Sequence, residues 1–213
     1  MLLEEIKNLS LRYAQENVAS RRHLHSNPEL SYQEYNTAKF VATKLKDFGL
    51  TPVEGVAGTG VVVLIEGKNP NKKTVALRAD MDALPIQEAN TVSYKSQNPG
   101  VMHACGHDVH TASLLGTAKI LAEVKNKFDG SVKLIFQPGE EKNPGGASYM
   151  IRDGALKYTF WTHDMPELYD LRRDPKEMRN LALKPDYRSR VDELKAKLFA
   201  WYAPPEINLP APR

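Results

Sequence analysis

The sequence predicts an α/β fold, a partial β-sheet covered by helices, with a small C-terminal strand–turn–helix appendage. Three observations carry that reading. Helix-period and strand-like segments follow one another in the order α-α-β-β-α-β over the first 138 residues, the pattern of a sheet layered with crossover-length helices. The strand candidates, "TGVVVLIEG", "KTVALRAD" and "SVKLIFQP", are short apolar and β-branched runs bounded by turn formers. After residue 156 the texture changes to a short aromatic strand, a turn-rich segment and one amphipathic helix.

Taken in order, Leu2, Leu3, Ile6, Leu9 and Tyr13 recur at helical spacing and predict a helix over residues 2–25. Ser31 followed by Glu34 reads as a capping box, and Gly49 as a left-handed stop, which bounds a second helix at about 32–48. Residues 59–67 and 73–80, separated by "KNPN", read as adjacent buried strands. Leu114, Leu115, Ala118, Leu121 and Ala122 share one side of a helix over 108–128, and residues 131–138 form a strand ended by Pro138. In the appendage "KYTFW" is the strand, and "PDYRSRVDELKAKLFAWY" the helix, with Val191, Leu194 and Leu198 on one face. The tail "APPEINLPAPR" carries four prolines and is expected to be disordered. The division is therefore 1–156, 157–202 and 203–213.

Composition narrows the function classes. Of 213 residues, 41% are hydrophobic and 26% charged, as in an ordinary globular chain. Lys and Arg number 18 against 17 Asp and Glu up to residue 156, and 11 against 9 after it. Neither part has the basic excess of a nucleic-acid footprint. The single cysteine excludes an intrachain disulfide, and the longest apolar run, "GVVVLIEG", is too short to span a bilayer. Glu4 and Glu5 interrupt the N-terminus, which does not read as a signal peptide. A cytoplasmic chain without nucleic-acid or membrane partners is expected, and no feature sets an oligomeric state.

Three polar elements fall at predicted strand ends, where open α/β sheets place their sites: "RADMDALP", "HACGHD" and "QPGEE". The stretch "HACGHDVH" holds three of the six histidines and the only cysteine. Cys105 and His107, two apart in a Gly-containing loop, suit a zinc-like ion. A cysteine nucleophile with a histidine base is a second reading. A helix start capped by Asp108 with solvated histidines is a third, and on this stretch alone the favoured one. "QPGEE" shifts the balance, because adjacent carboxylates repel unless positive charge sits nearby. A divalent ion provides it, with one Glu as ligand and the other as general base; a solvated surface turn is the plain alternative.

Five segments, "RRHLHSNPELSYQEYNTAKFVATKLKDFGL", "GTGVVVLIEG", "VALRADMDALPIQE", "HACGHDVHTASLLGTAKIL" and "VKLIFQPGEE…GGASYMIRDGAL", occur in order between about residues 10 and 156. Together they resemble the amidohydrolase family of N-acyl-amino-acid, hippurate and indoleacetyl-amino-acid hydrolases, within the zinc carboxypeptidase/aminoacylase group of metallopeptidases. The resemblance implies a zinc-peptidase-like sheet and a two-metal site of zinc or manganese. It makes Cys105 the bridging-type ligand, His107 and Glu141 further ligands, and Glu140 the general base. Asp80 and Asp82 would orient these ligands. The substrate implied is a small N-acyl amino acid.

The family also uses a histidine some two dozen residues after the paired glutamates and another near the end of a longer chain. His163 stands 22 residues after Glu141, but "KYTFWTHDMPELYDL" does not match that motif. Residues 157–202 instead resemble the C-terminal end of sulfatases, without that family's nucleophile, so Asp174-Pro175 and Asn180 read as structural. The chain thus reads as an apparent chimera. Two functions follow: a metal-dependent amidohydrolase, or an inactive fusion fragment with a half-site for at most one metal.

Overall fold

The computed structural model describes residues 2–143, 145–150, 156–159, 166–170, 173–174 and 178–202, without the side chains of 148–149, 156–159 and 197–202. His163 and the Pro-rich tail lie outside the described residues. The chain divides into two compact units, Met1–Met150 and Ile151–Arg213.

The first unit runs α1 (Leu2–Ser26), α2 (Tyr35–Asp47), β1 (Val53–Val56), β2 (Gly60–Glu66), β3 (Thr74–Asp80), α3 (His107–Val124), β4 (Ser131–Gln137) and α4 (Gly146–Met150). Its strands form one mixed sheet in the order β1-β2-β4-β3. β1 and β4 pair antiparallel to β2, and β3 pairs parallel to β4. The parallel pair requires a long crossover, which α3 supplies.

Alternation makes the core. Val61, Val63 and Ile65 of β2 and Leu134 and Phe136 of β4 are buried on the face that receives Val41, Ala42 and Leu45 of α2 and Leu114, Leu115 and Ala118 of α3. Each fully buried side chain of this size contributes roughly 1.5–3 kcal/mol. The stop at Gly49 is as the sequence predicts. Its φ is 75°, and Gly49 N and Leu50 N donate to the carbonyls of Lys46 and Leu45 at 2.9 and 3.0 Å. Those two bonds satisfy the last helical carbonyls, in the pattern that favours glycine there.

Two expectations are corrected, and one strand is new. β2 and β3 are not adjacent, because β4 lies between them, and Thr74–Arg78 of β3 is exposed at the sheet edge. An apolar β-branched run has the same sequence signature at an edge as in the centre. The capping box is not formed. Glu29 receives the amides of Asn36 and Thr37 at 3.2 and 2.8 Å instead, which frees Ser31 and Glu34 for other partners. β1, only four residues long with an irregularity between Glu54 and Val56, has no clear signal in the sequence.

In the second unit β5 (Leu156–Thr159) and β6 (Glu167–Asp170) pair antiparallel, and α5 spans Arg188–Tyr202. Leu168, Leu181, Val191 and Leu194 form its buried cluster. Asp174 accepts the amides of Met178 and Arg179 at 3.0 and 2.7 Å, and Asn180 accepts those of Leu168 and Ala182 at 3.0 Å. Both side chains hold turns.

Candidate metal centre

Because β3 and β4 run parallel with Asp80 paired to Gln137, their carboxyl ends lie side by side. Open α/β sheets offer a crevice at that edge. The chain leaves β3 into Met81-Asp82 and β4 into Gly139-Glu140-Glu141. The start of α3 is fastened to the same edge. Thr111 Oγ1 donates to the Asp80 carbonyl at 2.7 Å and His107 Nδ1 to the Asp82 carbonyl at 2.8 Å. A carbonyl only accepts, so Nδ1 carries the proton and His107 Nε2 is turned to the acids.

His107 Nε2 stands 3.6 Å from Asp80 Oδ1, 3.8 Å from Glu140 Oε2 and 3.8 Å from Glu141 Oε1. These distances are too long for hydrogen bonds. They suit donors that share one cation, each about 2 Å from it. Donor atoms of Cys105, His107 and Glu141 lie within 4.8 Å of one another, and so do those of Asp80, His107 and His110.

Asp82 is buried, with Oδ2 accepting from Ser31 Oγ at 2.6 Å and the Glu141 amide at 2.9 Å. Burial opposes its ionisation, yet His107, Ser31 and the amides of Glu141 and Glu140 hold the carboxyl down to about 2. Burial likewise works against a charged His107, but Asp82 beside it and the Asp80 charge outweigh that and push it up to about 9. The Cys105 thiol is pushed up by its hydrogen bond to Glu141, then by burial and the acid charges. A corner that draws protons onto an imidazole and a thiol is short of positive charge, and a divalent cation meets that need. The thiol, imidazole and carboxylate donors of Cys105, His107 and Glu141 fit such an ion. They do not fit a thiol nucleophile, which needs a lowered pKa and a base beside it.

The turn bearing the two glutamates is anchored from below. Gly139 has φ 57°, and a Cβ there would meet the Tyr32 ring at 2.5 Å. Its N–H donates to Glu34 Oε1 at 2.7 Å, while Thr59 Oγ1 donates to Glu34 Oε2 at 2.6 Å. Burial pushes the Glu34 carboxyl up. Asp108 does not cap α3, which is the reading that burial overturns. Gly106 holds the N-cap position, and Asp108 is buried 2.8 Å from His25 Nδ1 and from Arg21 Nε. His25 Nε2 in turn faces Glu88 Oε1 at 3.0 Å.

The structure therefore brings Asp80, Asp82, Cys105, His107, Glu140 and Glu141 to one corner. Sequence reasoning passed over His110 and the Ser31–Asp82 bond. His110 did leave a trace: it follows His107 by three residues, one helical turn.

The chain is an α/β protein with a mixed sheet and a cluster of candidate metal donors at its parallel strand ends. The family model of peptidase family M20/M25/M40 matches residues 76–194, more than half of the chain, and the chain belongs to that family. It is 49% identical over 156 residues to an N-acyl-L-amino acid amidohydrolase of Geobacillus stearothermophilus, covering 73% of this chain and 42% of that protein. It is 50% identical over 151 residues to a hippurate hydrolase of Campylobacter jejuni, covering 68% and 38%. Among solved structures, the Bacillus subtilis YXEP protein, described as a dinuclear metal-binding peptidase of the M20 family, matches with a TM-score of 0.60 and 41% identity, over 63% of this chain and 37% of that one. An aminohydrolase from methicillin-resistant Staphylococcus aureus matches with a TM-score of 0.67 and 46% identity, over 72% and 40%. The chain thus spans about two fifths of the length of these relatives. The family match runs on to residue 194, and the comparisons lend no support to the sulfatase resemblance of 157–202. No helix among the described residues is long and apolar enough to cross a membrane.

Proposed function

We propose that this chain carries the metal-binding corner of an amidohydrolase that cleaves the amide bond of N-acyl amino acids. The observation that supports it best is the convergence of Cys105, His107 and Glu141 donors within 4.8 Å, with Glu140 Oε2 3.8 Å from His107 Nε2. Cys105, His107 and Glu141 would hold a zinc or manganese ion, one per chain. Such an ion supplies Lewis-acid polarisation of the amide carbonyl and a lowered pKa for water. Glu140, the more exposed of the pair, accepts the proton of the attacking water and delivers it to the leaving amine nitrogen. Asp82 fixes the His107 ring through the Nδ1–carbonyl bond, and Asp80 closes the corner from the β3 side. Residues 1–156 would form the catalytic part and 157–202 a packing appendage.

A second reading is a non-catalytic half-site. It is favoured by the donor sets themselves, since both contain the one His107. Release of amino acid from N-acetyl and N-benzoyl substrates separates the two. Turnover that falls about 10²–10⁴-fold in Glu140→Ala, with metal content unchanged, is the expected result. Bound metal with no turnover assigns the chain to the half-site reading.

A further inference from the structure

The geometry points to a second, overlapping cation position formed by Asp80, His107 and His110, which takes a divalent ion through one carboxylate and two imidazoles and leaves out the thiol. The inference rests on the metal-site reading above and adds an alternative occupant of the same corner.

Asp80 Oδ1 lies between two rings, 3.6 Å from His107 Nε2 and 2.7 Å from His110 Nδ1. Those rings sit one turn apart on α3, with centroids 5.7 Å apart and planes tilted by 32°. The carboxylate is held in that attitude. Its Oδ2 accepts from Arg78 Nη2 at 2.9 Å, Arg78 Nε donates to Gln137 at 2.6 Å, and the Asp80 carbonyl accepts from Thr111. Only Oδ1 is left to face the rings. Without an ion His110 Nδ1 is hydrogen-bonded to Asp80 Oδ1. The ring is more than half exposed, so it has room to move aside when an ion takes that bond's place, and solvent completes the ion's remaining positions.

His107 decides how the two positions relate. Its Nδ1 is committed to the Asp82 carbonyl, so Nε2 is the atom both donor sets must use. One nitrogen lone pair binds one ion. Occupancy is therefore exclusive: an ion sits toward Cys105 and Glu141, or toward Asp80 and His110. Ligand softness chooses between them. A thiolate-preferring ion such as Zn²⁺ goes to the Cys105 side. When the sulfur is gone, Zn²⁺, Co²⁺ and Mn²⁺ alike are left the carboxylate and imidazoles of the Asp80 side, with Mn²⁺ held most weakly.

The test loads the full chain with Co²⁺, desalts it and reads cobalt per chain beside the near-ultraviolet thiolate-to-cobalt absorbance. Wild type, Cys105→Ala, His110→Ala and the double variant are compared, with circular dichroism to verify the fold. Both side chains are exposed, and Cys105→Ser and His110→Gln serve as conservative repeats. The expected result is about one cobalt per chain in wild type and in each single variant. The absorbance is absent from Cys105→Ala, and cobalt retention falls at least tenfold in the double variant. Loss of all cobalt in folded Cys105→Ala, or full retention in the folded double variant, overturns the second position alone. A folded wild type that holds no cobalt overturns both this position and the proposed function.

Discussion

Two clusters flank the start of α3, and both set an imidazole among carboxylates. In one, His25 has Asp108 Oδ2 at 2.8 Å and Glu88 Oε1 at 3.0 Å, one acid on each ring nitrogen. In the other, His107 has a carbonyl on Nδ1 at 2.8 Å and three acid oxygens 3.6–3.8 Å from Nε2. Both set a histidine among acids, but the distances differ by about 0.8 Å, and that difference separates their uses. With a buried ring bonded on both nitrogens at 3.0 Å or less, the acids and the ring satisfy one another and the ring cannot move aside to admit anything further. At 3.6–3.8 Å the ring and the acids converge without bonding, with room for an ion of about 2 Å bond length. The first cluster ties α1 to the loop before α3 and to α3 itself. The second leaves its electrostatic demand open.

The comparison breaks most visibly if the closed cluster is opened. His25→Ala leaves two buried carboxylates facing a cavity, and removing one partner of a buried charged set costs about 3–5 kcal/mol. Urea denaturation should report a loss of that size. Metal retention in the surviving folded fraction should be unchanged, because His25 is not among the donors at the strand ends. A variant that loses metal but not stability would merge the two clusters into one.

Acid sharpens the same contrast. Burial disfavours a charged Glu88, but the Ser96 amide, His25 and Asn90 hold its carboxyl down to about 2, from an ordinary 4.5. A folded pKa below the unfolded one gives stability that is present in full above about 4.5 and lost as pH falls toward 2. The loss amounts to roughly 3 kcal/mol at 1.36 kcal/mol per pKa unit. Glu88→Gln should be less stable near neutral pH and should flatten this part of the stability–pH curve. An unchanged slope would remove Glu88 from the account.

The open cluster answers to pH elsewhere. With His107 pushed up to about 9, an incoming ion must displace its proton at neutral pH. Affinity should therefore fall about tenfold for each pH unit below about 9, and more steeply once the raised Cys105 thiol is counted. Calorimetric titrations of Co²⁺ in buffers of different ionisation enthalpy measure the protons released. Release of none would mean that the ion does not reach Nε2.

How far this was legible in the sequence follows from what each feature depends on. Apolar periodicity marked α1, α2, β2, α3 and β4, because the burial of Val61, Val63, Leu134 and Phe136 is written locally as alternation. Strand order was not, since the parallel pairing of β3 with β4 is a long-range choice. The donor motifs Cys105, His107 and Glu140-Glu141 were legible because their residue types are chemically unusual side by side. Their support was hidden: Ser31 reaches Asp82 across 51 positions and His25 reaches Asp108 across 83. Ser31 and Glu34 showed the local pattern of a cap, and tertiary partners overrode it.

The smallest effect expected tests whether the open corner is there for binding or for holding the fold. Cys105 is exposed and sits outside the apolar core. Cys105→Ala should therefore change unfolding free energy without metal by no more than about 0.5 kcal/mol, the range of surface substitutions. It should also reduce, without abolishing, the stabilisation that Zn²⁺ confers on wild type, because Asp80, His107 and His110 still offer the folded state a position and a ligand stabilises only the state that binds it. Melts of both proteins, with chelator and with excess Zn²⁺, give the four values needed. A cost above 1 kcal/mol in chelator would make the thiol part of the fold. Equal stabilisation of both proteins by Zn²⁺ would move the zinc position away from sulfur, to the Asp80 and His110 side of the same imidazole.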